Sequence, residues 1–334
     1  MKRKSYVYVE RDDGHRQSYQ AIISKWLDVE PLYGRVDMRL LGKMVRAPRL
    51  IFSTIDDNYF TFILISLVRA VCGRRTVGIF LRPAQCFTGT RFYHRWKRRA
   101  FSMLRRVRSI AVLTIVPFAV RPEFASVARD WIHDPQMWDV AEREKVAPLT
   151  PLAQSLKKAA SGRRILCFVG GVSVIKGIEF LRDIACADTG LADRYLVAVM
   201  GKSDTESAGR VEELAACGAM VVDRHLSDSE LESLYGVADM IWACYRPDYD
   251  QASGVFGRAF QTGKTSVVRS GSVIEQYADY VGAKVLAIDY GEPARAVEAI
   301  DSHASAGDTM ANGVDVRSIA AMRQQFVETI AKWQ

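Results

Sequence analysis

The stretch QASGVFGRAFQTGKTSVV, residues 251–268, carries a pattern that is typical of a ligand-binding helix start. A helix is expected to begin after Ser253 and to end near Gly263, because serine favours N-caps and glycine favours helix ends. The first amides of such a helix have no partner inside it, and they favour an anion. Ser253, Gly254 and Val255 are therefore candidate contacts to a phosphate group. An ordinary N-cap followed by a flexible residue is the alternative interpretation.

Two more loops have the composition of phosphate-binding turns. The first, FVGGVSVIKG, ends a strand-like run at Gly170 and Gly171 and places Lys176 near a helix start. Glycines let a backbone approach a ligand closely, and the lysine adds a cation beside amides that already favour anions. The second, VMGKSDTE, ends a strand-like run at Gly201. Three such loops at one sheet edge predict a diphosphate site, with an ordinary surface lysine at 176 as the alternative.

Strand-like and helical patterns alternate along the chain, which indicates parallel α/β domains. The predicted strands are SYVYVE, RLIFSTI, TVGIFL and IAVLTIV in the first half and RILCFVG, YLVAVMG, AMVVD, DMIWAC, TSVVR and AKVLAI in the second. A polar stretch near 150–162 predicts a domain crossing. We expect one domain over 1–155, another over 156–315, and a C-terminal helix over 316–334 that docks back on the first. The apolar face of that helix carries Ile319, Met322, Phe326 and Ile330.

Charge is distributed unevenly between the two halves of the chain. Residues 1–160 carry 29 Lys and Arg against 14 Asp and Glu, while residues 161–334 carry 17 against 24. No acidic residue occurs between Asp57 and Glu123. The basic first half is therefore expected to attract polyanions.

Cysteine spacing and hydropathy restrict the class of protein further. The six cysteines show no CxxC or His-paired spacing, so neither a zinc site nor a disulfide framework is predicted, and the thiols are expected to be reduced and mostly buried. The longest apolar run, Tyr59 to Val68, is about half of what a membrane-spanning helix requires. It predicts a buried helix. No secretory pattern follows Met1, so a cytoplasmic protein is expected.

Roughly from Ile165 to Asp279, the chain resembles the retaining nucleotide-sugar glycosyltransferases of the group-one family, also called family 4. The resemblance rests on FVGGVSVIKG, the MGK strand end, LSDSELESLYGVADMIWACY and SGVFGRAFQTGKTSVV. Members of that family have the GT-B architecture, so the resemblance implies an α/β fold with two Rossmann-like domains facing across a cleft. It also implies a nucleoside diphosphate sugar as donor, with Lys176 on the diphosphate and Gly254 in the donor loop.

Three positions depart from the family pattern. The arginine that follows the first glycine in the family is Gly171 here, which removes one cation expected on the diphosphate. The glutamate that contacts the donor sugar aligns with Asp250, and the glutamate that holds the ribose hydroxyls aligns with Arg258. The resemblance still implies that both positions belong to the donor site, with Arg258 contacting phosphate or a charged sugar instead of ribose.

The resemblance assigns acceptor binding to the first domain, whose first predicted strand ends in ERDDGHRQSY. An acceptor hydroxyl needs a nearby base or hydrogen-bond acceptor, which a carboxylate or a histidine can supply. Asp12, Asp13 and His15 are therefore the candidate catalytic residues. A turn before the next helix is the alternative interpretation. Asp56 and Asp57, after the second predicted strand, are weaker candidates for the same role.

A basic segment over 91–108, RFYHRWKRRAFSMLRRVR, predicts a surface that binds anionic headgroups or the acceptor. As a helix it aligns apolar side chains such as Phe92 and Trp96 on one stripe, which either packs inward or enters lipid. The remaining positions carry the candidate arginines Arg91, Arg95, Arg98, Arg99, Arg105 and Arg106. A solvated face without a partner is the alternative.

These features together predict a cytoplasmic glycosyltransferase, peripheral on the inner face of the membrane, that transfers a sugar from a nucleoside diphosphate sugar to a glycan or lipid-linked acceptor. Cell-surface polysaccharide or glycolipid synthesis is the expected setting. Lys176 and the amides near Gly254 would hold the leaving diphosphate, so no metal or other cofactor is expected. One alternative is an inactive sugar-nucleotide-binding or regulatory subunit, motivated by Gly171 and Arg258. Another is a nucleic-acid-binding protein, although no recognition module is present and nucleic acid is not an expected partner.

Overall fold

Two compact units make up the chain in the computed structural model, which describes residues 4–11, 14–88, 92–140, 149–187, 190–305 and 316–333. Unit 1 joins Met1–Pro135 to Ala320–Gln334, and unit 2 is Gln136–Ile319. Each unit contains a six-stranded parallel sheet with helices between its strands. The predicted α/β class with two Rossmann-like domains is therefore confirmed. The expected boundary at 155 falls inside unit 2.

Unit 1 builds its sheet in the order β2-β1-β3-β4-β5-β6. The strands are β1 (Tyr6–Val9), β2 (Glu30–Tyr33), β3 (Leu50–Phe52), β4 (Thr76–Phe80), β5 (Ile110–Thr114) and β6 (Asp130–Trp131). The helices between them are α1 (Gly14–Leu27), α2 (Met38–Arg46), α3 (Tyr59–Val71), α4 (Gln85–Thr88) and α5 (Phe92–Leu104). Strands β3, β4 and β5 are buried at every residue, as expected for parallel strands covered on both faces. All four predicted strands of this half are present.

Unit 2 builds its sheet in the order β12-β11-β10-β7-β8-β9. Its helices begin with α6 (Pro151–Ala160). The strands are β7 (Arg164–Val169), β8 (Tyr195–Met200), β9 (Met220–Val222), β10 (Met240–Ala243), β11 (Thr265–Arg269) and β12 (Val285–Ile288). The remaining helices of unit 2 are α7 (Ile178–Ala185), α8 (Leu191–Arg194), α9 (Ala208–Ala216), α10 (Asp228–Val237), α11 (Gly254–Gln261), α12 (Val273–Val281) and α13 (Pro293–Ser305). The last helix, α14 (Val316–Lys332), begins in unit 2 and continues in unit 1.

The stretch 150–162, expected to be a linker, is occupied mostly by helix α6. Thr150 caps this helix by accepting a hydrogen bond from the amide of Ala153, and Pro151 occupies its first turn, where a missing N–H costs nothing. Leu156 and Ala160 face the core of unit 2. The helix is therefore an integral part of unit 2.

Helix α14 lies against unit 1 over most of its length. The Gln325 amide group accepts a hydrogen bond from the amide of His133 at 3.0 Å and donates one to the carbonyl of Trp131 at 2.9 Å. Lys332 forms an ion pair with Asp130 at 3.0 Å. The four residues predicted for its inward face are all buried: Ile319, Met322, Phe326 and Ile330.

Helix α3 differs from the buried helix predicted for residues 59–68. One face is buried, and its residues are Phe62, Ile65, Ser66 and Arg69. The opposite face is exposed, and its residues are Phe60, Leu64, Leu67, Val68 and Val71. The prediction is therefore wrong for one face, because a continuous apolar run contains no periodicity that distinguishes inside from outside. Among the described residues, no helix is both long and apolar enough to cross a membrane.

A disulfide joins Cys186, which follows α7, to Cys217, which follows α9. The Cα atoms are 5.4 Å apart, and the two residues are separated by 31 positions in the sequence. The prediction that the cysteines are reduced is wrong for this pair, because only the packing of α7 beside α9 brings them together. Cys72, Cys86, Cys167 and Cys244 are free, and all of these except Cys72 are buried.

Removing this disulfide should destabilise the protein, because the bond restricts the unfolded chain. For a sequence separation of 31, loop closure entropy gives a loss of about 3–4 kcal/mol. Urea unfolding of the double variant Cys186→Ser/Cys217→Ser should show a lower midpoint than the oxidised wild type, and a reductant should lower the wild-type midpoint similarly. Cys72→Ser is the control and should change little. A midpoint that does not respond to reductant would contradict the prediction.

Candidate functional site

The loops after β7 and β10 lie where the strand order of unit 2 reverses direction. Strand β7 has β8 on one side and β10 on the other. Loops that leave such neighbouring strands diverge and open a crevice at the carboxyl edge of the sheet, which is where parallel sheets bind ligands. The three loops singled out in the sequence follow β7, β8 and β10 and therefore reach this same edge.

Backbone contacts join the loop after β7 to the loop after β8. The amide of Gly170 donates to the carbonyl of Met200, and the amide of Val172 donates to the carbonyl of Lys202, both at 2.9 Å. A Cβ atom at Gly201 would lie 1.9 Å from the carbonyl oxygen of Gly170. Gly201 is therefore required by the packing of the two loops, independently of any ligand.

The side chain of Lys176 folds back over the glycine loop. Its Nζ atom donates a hydrogen bond to the carbonyl of Gly171 at 2.8 Å. Burial lowers the pKa of Lys176, while the charge of Asp204 raises it. Among the described residues, no carboxylate lies within ion-pair distance of this ammonium group. Within the described part of the chain, the glycine loop thus carries a partly desolvated cation that has no carboxylate in ion-pair contact.

The backbone beside Lys176 is fixed against the end of strand β10. Gly177 has φ of +78°, and a Cβ atom there would lie 2.1 Å from the carbonyl oxygen of Cys244. The indole Nε1 of Trp242 donates to the carbonyl of Lys176 at 3.2 Å. These contacts place Lys176 on a rigid part of the sheet edge, which is what a precise binding group requires.

Helix α11 begins as predicted, with Ser253 as its N-cap. The Ser253 Oγ atom accepts a hydrogen bond from the amide of Phe256 at 3.2 Å and shares another with the hydroxyl of Tyr245 at 2.7 Å. Burial raises the pKa of Tyr245, so that hydroxyl stays protonated. Because the serine oxygen already has these partners, the amides of Gly254 and Val255 are the better candidates for a ligand. As first-turn amides they have no partner inside the helix.

Gln136 lies over the start of α11 and explains two of its glycines. A Cβ atom at Gly254 would lie 1.7 Å from the Oε1 atom of Gln136, and one at Gly257 would lie 2.5 Å from the Gln136 carbonyl oxygen. The glycines therefore allow the chain at Gln136 to pack against the helix. This role could not be predicted from the sequence, because no local pattern relates Gln136 to the helix that it contacts.

Asp250 and Arg258 both have charged partners within unit 2. Arg258 Nη2 lies 3.4 Å from Asp139 Oδ2, and both side chains are largely buried. Burial lowers the pKa of Arg258, but Asp139 and further groups raise it by more, so the net shift is upward. The Oδ1 atom of Asp250 accepts hydrogen bonds from Arg269 and from the amide of Val273, both at 2.8 Å. Their roles toward a donor stay predictions.

Unit 1 also has a pocket where its strand order reverses, between β1 and β3. Its volume is about 330 Å³, and its lining residues are Val9, Glu10, Arg11, Thr54, Asp57 and Asn58. Of the sequence candidates, Asp57 lies in this wall. Asp12 and Asp13 lie outside the described residues, and for His15 only the backbone, at the start of α1, is described. Sequence analysis did not predict Arg11, Thr54 or Asn58.

Asp56 and Asp57 have different surroundings. The buried carboxylate of Asp56 accepts hydrogen bonds from the amides of Leu81 and Arg82 at 2.9 and 2.8 Å and from the hydroxyl of Thr54 at 2.9 Å. The carboxylate of Asp57 is 52% exposed and lies 3.4 Å from the Nη2 atom of Arg82. Asp56 therefore joins the ends of β3 and β4, while Asp57 remains accessible to a ligand.

Five of the six predicted arginines are exposed on and just after α5. These are Arg95, Arg98, Arg99, Arg105 and Arg106. Arg91 lies outside the described residues. Within the described part of the chain, none of the five forms an ion pair with a carboxylate, and Arg98 stacks on the ring of Phe87 at 4.6 Å. The segment is thus a dense cationic surface that no carboxylate of the described residues neutralises by an ion pair.

Solved structures that resemble this chain include glycosyltransferases. HepE from Anabaena in complex with UDP is similar over 98% of this chain and 100% of its own, with a TM-score of 0.70 and 14% identity. WaaG, a glycosyltransferase involved in lipopolysaccharide biosynthesis, is similar over 99% and 95%, with a TM-score of 0.55 and 12% identity. A glycosyltransferase from Rickettsia africae is similar over 98% and 97%, with a TM-score of 0.65 and 10% identity. No family model and no curated protein matches the sequence. The neighbours are GT-B glycosyltransferases, and the chain has the GT-B fold.

Lys176→Ala should reduce affinity for a nucleoside diphosphate about tenfold to a hundredfold. A hydrogen bond to a charged group contributes about 1.5–3 kcal/mol, and this variant removes the unneutralised cation. Calorimetric titration with UDP, GDP and ADP is the measurement. Lys264→Ala is a matched control, because Lys264 also donates to a carbonyl, that of Gly236 at 3.1 Å, but precedes β11 at the other edge of the sheet. Equal affinities in the two variants would contradict the prediction.

Proposed function

We propose that the chain is a glycosyltransferase that moves a sugar from a nucleoside diphosphate sugar to a hydroxyl of a glycan or lipid-linked acceptor. The observation that carries the proposal is the unneutralised ammonium of Lys176, held over Gly171 at the sheet edge where the strand order of unit 2 reverses. A diphosphate suits this site better than a neutral ligand, since it supplies the missing counter-charge. The GT-B fold and the complexes of HepE with UDP and with UDP-glucose support such a donor.

In this proposal, the protein accelerates transfer by stabilising the leaving group. Negative charge grows on the diphosphate as the glycosidic bond breaks, and groups that bind this charge more strongly in the transition state lower the barrier. The Lys176 ammonium and the first amides of α11 supply such groups. Retention of the anomeric configuration and independence from a metal ion are further parts of the proposal, and they rest on the family resemblance.

The acceptor is proposed to bind in the pocket of unit 1. The carboxylates of Glu10 and Asp57 and the polar groups of Thr54 and Asn58 line it, which suits an acceptor that offers several hydroxyls. Asp12, Asp13 and His15 directly follow the strand end that forms one wall. The base or orienting group is proposed to come from these three residues.

An inactive sugar-nucleotide-binding subunit is the second candidate function. Asp250 and Arg258 align with the donor-contacting glutamates of the family, yet here they pair with Arg269 and Asp139. A site that lacks the glutamate contacts to the donor sugar and to the ribose can bind a diphosphate without completing transfer. The two candidates therefore differ in turnover and agree in donor binding.

A panel of nucleoside diphosphate sugars separates the candidates. Thermal shift identifies the donor, since a ligand at a hundred times its Kd stabilises the fold by about 2.7 kcal/mol. Donor hydrolysis and transfer to extracted glycolipids are then measured with that donor. Turnover supports the glycosyltransferase, whereas binding without hydrolysis or transfer supports the inactive subunit. If no member of the panel binds, both proposals fail.

Asp57→Asn should lower turnover severalfold while leaving UDP affinity unchanged. Asp57 belongs to the acceptor pocket of unit 1, and the proposed donor site is built entirely from unit 2. Initial rates and calorimetry on the same preparation are the measurements. Asp301→Asn is the control, because Asp301 also pairs with an arginine, Arg194, but lies outside both sites. A loss of UDP affinity in Asp57→Asn, with the fold intact, would contradict this division of roles.

We further propose that the protein is peripheral on the cytoplasmic face of a membrane and that the exposed arginines attract its anionic headgroups. Each basic residue near such a surface contributes about 1 kcal/mol. Changing Arg98, Arg99, Arg105 and Arg106 to Ser should weaken binding to anionic vesicles more than about tenfold at low salt. High salt should have a similar effect on the wild type, because it screens these charges. Binding that ignores lipid charge would favour a soluble acceptor.

A further inference from the structure

Helix α3 is apolar on its outward face as well as on the face that packs into the core. Its outward face carries Phe60, Leu64, Leu67, Val68 and Val71, which recur at the spacing of one helical face. Leu64 is 64% exposed and Val71 is 90% exposed. The helix has a single charged residue, and that residue points inward. Large apolar patches of this kind mark interaction surfaces in proteins that are otherwise well packed.

Arg69 fixes the rotation of this helix. Its guanidinium group is fully buried and donates hydrogen bonds to the carbonyls of Ala47 and Arg75 at 2.9 and 2.6 Å and to the hydroxyl of Thr76 at 2.9 Å. Burial lowers its pKa to about 10. Turning the helix to hide its apolar face would strip a buried cation of these partners, which is costly. The exposure of the apolar face is therefore built into the fold.

The apolar surface continues from α3 onto α5. The rings of Phe60 and Trp96 lie 5.0 Å apart, and Tyr59 also contacts Trp96. Phe92 is 73% exposed at the start of α5. Two neighbouring helices thus contribute to one patch of aliphatic and aromatic side chains.

Cations flank this patch on both sides. On one side lie the exposed arginines of α5. On the other side, the C-terminal end of α2 is bound to α3 through Arg69, and it presents Lys43 and Arg46 to solvent. The sequence has no acidic residue between Asp57 and Glu123. The surface therefore combines an apolar centre with an uncompensated cationic border.

We propose that the outward face of α3, together with Phe92 and Trp96, inserts into the boundary between headgroups and acyl chains of an anionic lipid bilayer. The helix would lie in the plane of the membrane, with its cationic flanks on the headgroups. Charge argues against a second copy of this chain as the occupant, because a symmetric contact would bring the cationic borders together. The apolar centre argues against a polyanionic glycan. This proposal extends the membrane association proposed above and rests on the proposed function only for the biological purpose of binding. Adsorption to a bilayer itself needs neither donor nor acceptor.

Salt separates insertion from headgroup attraction. At high salt, charge attraction is screened and burial of apolar side chains is not. We expect the triple variant Leu64→Ser/Leu67→Ser/Val71→Ser to bind phosphatidylglycerol vesicles at high salt more than about tenfold more weakly than the wild type. The arginine variant should lose mainly the salt-sensitive part. The double variant Leu149→Ser/Tyr280→Ser also removes exposed apolar side chains, but in unit 2, and should bind like the wild type.

Cys72 offers a second readout, because it is exposed, free and directly follows Val71. The other free thiols are buried, so a polarity-sensitive maleimide applied without reductant should label Cys72. Its emission should shift to the blue with phosphatidylglycerol vesicles and stay unchanged with the triple variant. A Cys72→Ser protein checks the labelling. If the triple variant fails to fold, the same dye experiment is carried out with the single variant Val71→Asp.

Three outcomes would overturn the inference. One is salt-resistant binding that is unchanged in the triple variant. Another is dye emission that indicates an aqueous environment although the protein is bound to vesicles. The third is a wild type that sediments as a dimer while the triple variant is monomeric, which would make this face a contact between copies. UDP titration is independent of all three: its failure removes the proposed function and leaves the vesicle results standing.

Discussion

The position of Lys176 depends on one close backbone approach, that of Gly177 to the carbonyl of Cys244. A side chain at 177 would place a carbon atom 2.1 Å from that oxygen, and the positive φ of this residue is one that other residues rarely adopt. Because the turn sits this close to the end of β10, the Trp242 indole reaches the Lys176 carbonyl. The order of the parallel strands then determines where the lysine lies, since β7 and β10 are neighbours at the point where the sheet reverses. Local turn geometry and sheet topology together thus determine the position of Lys176.

Lys176 differs in charge compensation from two largely buried arginines of unit 2. Arg258 has Asp139 as its partner, and Arg269 has Asp250. Lys176 has a carbonyl, which satisfies one donor and leaves the charge in place. Burial raises the free energy of an unpaired ammonium, so a bound anion relieves a cost that is present in the free protein. The charge of Lys176 alone therefore favours an anionic ligand at the glycine loop.

Those parts of the fold that depend on short segments could be predicted from the sequence. The apolar strand runs, the apolar face of α14 and the N-cap at Ser253 are local patterns, and the structure contains all of them. The contact of Gln136 with Gly254, the Cys186–Cys217 disulfide and the outward face of α3 could not be predicted. The first two join segments that are distant in sequence, and no spacing rule relates such segments. The outward face of α3 lies in a continuous apolar run, which contains no periodicity that distinguishes inside from outside. The three candidate phosphate loops were recognisable for the same reason as the strands, since strand ends in a parallel sheet meet at one edge.

Buried cations orient both of the helices that form the apolar surface of unit 1. In α3 the buried cation is Arg69, and in α5 it is Lys97, whose Nζ atom donates to the carbonyl of Asp56 at 3.3 Å and lies over the rings of Tyr59 and Phe80. Burial lowers the pKa of Lys97, while the charge of Asp56 raises it. Burying a cation costs free energy, whereas burying an apolar residue at the same position does not. Stability alone therefore does not explain why two neighbouring helices each bury a cation. The arrangement gives each helix one rotation at which its cation is satisfied, and at that rotation a second set of aromatic and aliphatic side chains faces outward beside the set that packs into the core. A surface with a fixed apolar centre and a cationic border is the direct consequence.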